Sequence, residues 1–511
     1  MRLKIRLGIF FLLILGIGLA CQLTSPTPAS WSRTPTARAR GLTSTAILLT
    51  QAARSDDDLF GTPTQIPVKP TLTVTHQPNI PVDGPWLLYP GPAGDALHAF
   101  DLEARKITAV ELPQPIYWED LKHGLSPDGR KLFIRAGSPT ETDQLALYEI
   151  NLLSGESTKV TPLLTLLLQR RIVNQQGTRA FDVLEVVTRP DGLAWSPDSR
   201  YLAFCAALDN QSTDLYLYDS LNNRISRVNG LATHNATPMW GLDSNWLVSQ
   251  ELNKTTTDRW RSENVSGFTI PGFDDQNTFY LPGLESQEEV FVGWLNTQNF
   301  IAYSQTSEGP STLRRVNAVD FESSVILQGN FDAAALDPDS QTLVISLSNE
   351  NATPKGKVAG VYLLKPDDVD FQLLRGGFWA DLSWDPGGMF LASGKQGLFA
   401  FNPDGQSMVL PGETRAIFSP IGNWMVAWGE GGGSQVGARL YQSPSIHPLQ
   451  SLTENDVQTV FWQPDSKAFF LQSQGELYQL AFPGLQFNRI EDGFPEDEAL
   501  ILAWMTEAGD G

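Results

Sequence analysis

The residues able to do covalent chemistry in this chain are few and scattered. Cys21 and Cys205 are its two cysteines, too few for a disulfide framework. Cys205 lies in the apolar run Tyr201-Leu202-Ala203-Phe204-Cys205, where a thiol serves as a small core residue, and it is read as inert. Nucleophilic hydrolysis would need an activated serine beside a histidine. No Gly-x-Ser-x-Gly turn occurs, and His76, His98, His123, His234 and His447 show no paired spacing. The His-Glu-x-x-His arrangement for zinc is missing too, and the loop Gly429 to Gly437 lacks the Lys-Ser/Thr of a phosphate cradle. Carboxylates stand together at Asp56-Asp57-Asp58, Asp274-Asp275 and Asp367-Asp368. Glycoside hydrolysis uses such groups in opposed pairs, but in so acidic a chain they read first as solvated loops. No catalytic residue, metal or cofactor is assigned. Two cationic groups remain as binding candidates: Arg170-Arg171, after the apolar stretch Leu163 to Leu168, and Arg259-Trp260-Arg261. Guanidinium groups beside an indole suit an acidic or glycan partner.

The first residues point to export. Arg2, Lys4 and Arg6 precede an uncharged run from Leu7 to Ala20, the basic and apolar parts of a signal segment. The run ends Gly18-Leu19-Ala20-Cys21, which resembles the lipobox of bacterial lipoproteins and implies cleavage before Cys21 and lipid on its sulfur. Gly18 stands where leucine is usual. The alternative is an uncleaved signal anchor, since the uncharged stretch through Leu23 is barely long enough to span a bilayer. Residues 22–83 carry Ser25-Pro26, Thr27-Pro28, Thr34-Pro35 and Thr62-Pro63. Such a Ser/Thr/Pro-rich segment cannot bury a core and is expected to be a disordered tether.

What must position anything beyond residue 83 is a repeat. Leu125-Ser126-Pro127-Asp128-Gly129 precedes the apolar run from Lys131, and Trp195-Ser196-Pro197-Asp198-Ser199 precedes that from Tyr201. Related copies start at Leu336, Trp384, Phe418 and Trp462, with weaker ones at Trp240 and Trp294, so that successive copies lie 34 to 70 residues apart. Proline presets the first corner of a turn, Asp or Ser oxygens accept backbone N–H bonds, and Gly tolerates positive φ. The aromatic residue before the turn is expected to wedge one sheet against the next. Further strands follow each turn, as at Asp214 to Asp219 and Gly360 to Leu364, giving a four-strand meander per repeat.

The repeat resembles the WD40-like, or PD40, motif of the TolB family of periplasmic propellers over residues 84 to about 506. The resemblance implies an all-β fold, a single β-propeller of eight or nine four-stranded blades. Eight applies if the copy at Trp240 or Trp294 is an irregular insertion. Trp86 to Leu112 offers three strands of a blade without a first one, and Ala499 to Trp504 offers a first strand with nothing after it. The C-terminal strand is therefore expected to complete the N-terminal blade and close the ring. The 70-residue gap contains an extra segment, Pro162 to Asp191, and the 54-residue gap contains Arg259 to Arg261 and an aromatic stretch to Tyr280.

A net charge of -21 with no basic stripe disfavours nucleic acid as a partner, and 18% charged residues are too many for a multi-span membrane protein. The leading expectation is a membrane-tethered, extracytoplasmic propeller that binds an envelope protein or glycan. It is expected to be monomeric and to meet the membrane only through its N-terminal anchor. A propeller glycoside hydrolase or glycan-binding protein, and a purely structural surface protein, are the alternatives.

Overall fold

The computed structural model describes residues 74–76 and, with short interruptions, 85–505. Cys21, Arg259 and nearly all of the 22–83 segment lie outside the described residues. Nine antiparallel meanders follow one another and close into a nine-bladed β-propeller. In blade 1 the strands Trp86–Pro90, Ala96–Asp101 and Lys106–Glu111 are joined on the inside by Ala503–Met505. Leu87 pairs with Trp504 across the seam. The closing strand is shorter than the expected Ala499 to Trp504 and shifted towards the C-terminus, for a local reason. Gln472 Nε2 donates to the carbonyls of Pro495 and Glu498, and its Oε1 accepts from the amide of Leu500. The amide side chain thus holds this stretch in place of a strand ladder. On the outer side, Val74–His76 adds a parallel strand along Lys106–Glu111.

The blade count resolves to nine because both weak copies are complete. His234–Trp240 and Glu288–Trp294 are the innermost strands of blades 4 and 5, each at the head of a four-stranded sheet. Each carries an irregularity, between Ala236 and Met239 and between Phe291 and Gly293, and neither turn uses Pro-Asp. After Trp294 the side chain of Asn296 replaces it, accepting the amides of Gln298 and Asn299, each at 2.9 Å. The sequence motif fades there while the meander persists. Blade 2 departs the other way: its innermost strand is a single bridge between Leu125 and Leu132.

Meander geometry gives the ring two unlike faces. Connections between the first and second and between the third and fourth strands lie on one, here called lower; those between the second and third strands and between blades lie on the upper. The Pro-Asp turns belong to the lower face. The fourth turn position is left-handed, with φ of 69° at Gly129, 61° at Ser199 and Ser244, and 60° at Ser466. At these three serines the hydroxyl reaches back to the preceding blade. Ser199 Oγ accepts the amide of Asp128, Ser244 Oγ that of Asp198, and Ser466 Oγ that of Ile421, at 3.1 to 3.2 Å.

The tryptophans before these turns are wedges, as their sequence position predicts. The indole N–H of Trp195 donates to Gly124 O, that of Trp240 to Ala194 O, and that of Trp462 to Ile417 O, at 2.8 to 3.3 Å. Each therefore ties the innermost strand of one blade to that of the last. Between blades the alternating strand faces interlock. Phe133 and Leu147 of blade 2 meet Leu202 and Phe204 of blade 3, and Val426 and Leu440 of blade 8 meet Trp462 and Phe469 of blade 9. Each such side chain contributes roughly 1.5–3 kcal/mol by leaving water, and truncating Phe204 to Ala would cost about 3–5 kcal/mol. Among the described residues no helix is long and apolar enough to cross a membrane.

Candidate binding face

The extra segment between blades 2 and 3 folds into two helices on the upper face: α1, Leu166–Val173, and α2, Thr178–Val187. Thr165 caps α1, its hydroxyl accepting the amide of Leu168. Leu168 and Ile172, one turn apart, face inwards, as do Ala180, Val183 and Val187 of α2. They pack on Leu202 and Phe204 of blade 3. Backbone bonds from Ala207 N to Leu163 O and from Thr165 N to Ala207 O hold the entry to α1 against the end of a blade 3 strand.

The second departure from the repeat meets the first. In blade 4 the strands Trp246–Lys254 and Trp260–Thr269 form a long hairpin reaching up beside α2. Trp260 packs against Val186 of α2 and against Ala236 and Leu252, with its ring edge-on to His234 at 5.5 Å. Lys254 Nζ lies 5.3 Å from the Trp260 ring centroid and bridges Asp182 at 2.7 Å and Glu185 at 3.3 Å. Trp260 is thus spent on joining helix to hairpin, and Arg261 beside it is half-buried. Arg170 and Arg171 stay exposed on α1. The four described candidates therefore do not converge on one pocket; they belong to one platform spanning blades 2 to 4.

A buried ion pair that the sequence reading missed fastens this platform to the ring. Arg135, 1% exposed at the upper end of a blade 2 strand, forms a two-pronged pair with the fully buried Asp120, with Nη2 to Oδ1 at 2.6 Å and Nε to Oδ2 at 2.9 Å. Its remaining donors reach the carbonyls of Val187 and Arg189, at the end of α2. Burial opposes the guanidinium charge, but Asp120 outweighs it and holds Arg135 above its ordinary value. The chain of contacts continues: Arg189 pairs with Asp191 at 3.2 Å, and Asp191 accepts the hydroxyl of Thr237 at 2.6 Å. Burial pushes the Asp191 carboxyl up, yet Arg189 and Thr237 bring it below the usual range. Thr237 has φ of 53°, a strained backbone for a β-branched residue, and it sits at the irregularity in the blade 4 inner strand. An arginine inside the apolar run Leu132-Phe133-Ile134-Arg135-Ala136 was the available signal for a buried pair.

Beside this pair the upper face holds a cavity of about 220 Å³ lined by Tyr117, Trp118, Glu119, Arg135, Thr188, Pro190 and Ile501. The Arg135 guanidinium lies 5.7 Å from the Tyr117 ring centroid, so the lining offers aromatic faces whose cation is already paired. Such a space suits one apolar or aromatic side chain of a partner.

The buried acids of the other blades offer no comparable opening. Glu289 is bound by Arg314, Glu413 by Arg439 and Tyr441, Glu251 by Ser266, and Glu491 by His98. Burial raises the carboxyls of Glu289 and Glu413, and each is engaged inside its own blade. Glu289 and Glu413 sit in structural ion pairs and Glu251 and Glu491 in side-chain hydrogen bonds, and these four are not opposed acids across a cleft. Burial likewise pushes the Cys205 thiol up to about 12, leaving it unreactive. Among the described residues no cluster of His, Cys, Asp or Glu is placed to hold a metal.

No family model matches the chain, and no curated protein matches it. Many solved structures share the architecture. One, described as the crystal structure of the eukaryotic initiation factor, is similar over 83% of this chain and 99% of its own length, at 12% identity and a TM-score of 0.52. A dipeptidyl peptidase 4 from Porphyromonas gingivalis matches over 75% of this chain and 64% of its own, at 11% identity and a TM-score of 0.45. An oligogalacturonate lyase from Vibrio parahaemolyticus matches over 57% and 89%, at 13% identity and 0.36. At such identities the likeness reaches the propeller fold and stops there.

Proposed function

We propose that this chain is a membrane-tethered, extracytoplasmic propeller whose upper face is a binding platform for another envelope molecule. One observation carries the binding reading: both insertions into the repeat stand on the same face and are locked together by Lys254, Trp260 and Arg135. Elaborated segments on a rigid scaffold are where recognition concentrates. A buried ion pair holding a helix end is costly to build unless the position of that helix matters. The cavity at Trp118 gives the platform an anchor point of side-chain size. The tether and export reading rests on the sequence of residues 1–83, with Cys21 as the lipid acceptor.

The test is photo-cross-linking in living cells from a reactive amino acid placed at Glu119, on the cavity rim, and at Lys467, on the lower face. Discrete adducts from Glu119 that are absent from Lys467 and weakened at least about tenfold by Trp118→Ala, as loss of a central anchor implies, are expected. Equal labelling at the two positions would count against the platform. Mass determination of the mature N-terminus tests the tether separately. Lipid on Cys21 is expected; an intact Met1 with a bare thiol replaces it with an uncleaved anchor.

A further inference from the structure

The outward face of α1 has a composition unlike the rest of the surface. Leu166, Leu167, Val173 and, on α2, Phe181 are four of the fourteen exposed large apolar side chains among the described residues, and they fall within sixteen positions. Elsewhere such residues are scattered singly, which is ordinary. On α1 they alternate with charge: Leu166 lies one turn before Arg170, and Leu167 one turn before Arg171. Leu168, Gln169 and Ile172 are buried, so both Leu-Arg pairs point away from the propeller. Arg179 is exposed at the start of α2. The acids of this segment are already occupied, Asp182 and Glu185 by Lys254 and Asp191 by Arg189. Arg170, Arg171 and Arg179 have no ion-pair partner among the described residues. A chain of net charge -21 thus carries, at one place, unpaired cations interleaved with exposed leucines.

We infer that the outward face of α1 and the adjoining Phe181 is a docking surface for an anionic phospholipid bilayer. Leucine and phenylalanine enter the headgroup boundary while arginines remain with the phosphates, the division of labour of interfacial helices. Attraction to acidic lipid then acts against the overall negative charge only where these arginines face the surface. An acidic protein would answer the charge equally well, but it would not call for leucines on the same outward turns without a groove to receive it. The inference rests on the tethered reading for its range. A chain of about sixty residues has a root-mean-square span of roughly 45 Å, so an anchored propeller stays within reach of the leaflet. Docking through α1 would turn the upper face towards the membrane.

The test uses the full chain held by its own N-terminus in lipid nanodiscs, neutral or containing phosphatidylglycerol, with amide hydrogen exchange read for residues 164–175. Exchange in this segment should be slower by roughly tenfold in the anionic discs only, with the lower-face turns unchanged. Arg170→Glu/Arg171→Glu should abolish the difference, and because both side chains are exposed the variant should keep its melting temperature. Leu166→Ser/Leu167→Ser gives the same result by removing the apolar part. Equal exchange in both discs overturns the inference and leaves the face to a protein partner. Failure of the chain to enter neutral discs at all is a different result: it overturns the anchor, and added anionic vesicles then test docking alone.

Discussion

The lower and upper faces of this propeller are built from the same strands by opposite means. On the lower face the Pro-Asp turns are specified within five residues, and at several of them a serine hydroxyl or an indole N–H makes the link to the blade before. On the upper face the decisive contacts join residues far apart in sequence. Lys254 meets Asp182, and Arg135 meets the carbonyls of Val187 and Arg189. Local, repeated contacts make a face that is regular and replaceable in parts. Long-range contacts make one that is singular, and a singular face can discriminate.

The largest expected effect falls on the seam, without which neither face exists. Removing Ala499 to Gly511 strips Leu502 and Trp504 from a core shared with Phe470 and Leu477 of blade 9 and Leu87 of blade 1, and Ala503 and Met505 from one shared with Leu88 of blade 1 and Leu132 of blade 2. The loss should be about 5 kcal/mol or more, counting burial alone, with the open edges prone to association. Denaturant unfolding with an unchanged midpoint would refute ring closure. Next comes the upper face itself. Arg135→Met leaves Asp120 buried and unpaired, costing about 3–5 kcal/mol, whereas Asp120→Leu/Arg135→Met should recover most of that. If the double variant is stable but cross-linking from Glu119 is lost, the pair serves position and not stability. If cross-linking survives, the platform does not depend on it.

This contrast also explains what could be read from the sequence. The Pro-Asp turns, the Trp wedges and the missing strand of blade 1 were legible because each is a short-range pattern tied to backbone geometry. Nine blades and not eight was ambiguous because Asn296 substitutes a side-chain acceptor for the Pro-Asp turn. The joining of the insertions was illegible. Nothing in the local sequence of Asp182 and Glu185 points to Lys254 of blade 4, and Trp260 reads with its neighbouring arginines as facing a partner because α2, which covers it, lies more than 70 residues earlier in the chain. Arg170 and Arg171 were visible as charge, while their outward direction depended on which side of α1 is buried.

A smaller, pH-dependent effect separates the faces further. Asp214, at the upper end of a blade 3 strand, is fully buried, and burial, reinforced by Asp209 and opposed by Arg227, raises its carboxyl to about 7. Its folded value exceeds the unfolded one of about 3.9, so the native state holds a proton that the unfolded chain releases. Stability from this group is complete below about pH 4 and is lost as pH rises through about 7. Asp214→Asn should flatten that decline, on the order of 2 kcal/mol between about pH 4 and about pH 8. Parallel unfolding curves for the two proteins at both pH values would remove Asp214 as the source.

The smallest effects lie on the lower face and depend on which residue occupies the left-handed turn position. Ser199 accepts the strain of φ at 61° and recovers it through the amide of Asp128. Gly129, in the same position of blade 2, follows a blade whose inner strand comes from the C-terminus, so no Pro-Asp turn precedes it to be held. Ser199→Ala should therefore lose about 1 kcal/mol, keeping the strain and dropping the bond. Ser199→Gly drops both and should be nearly neutral. Gly129→Ser gains strain with no amide to accept and should lose about 1 kcal/mol. A Ser199→Ala protein that melts with the parent would show that the hydroxyl is not the reason for serine there. In that event the lower face would owe its regularity to the strand ladders and the indole bonds alone.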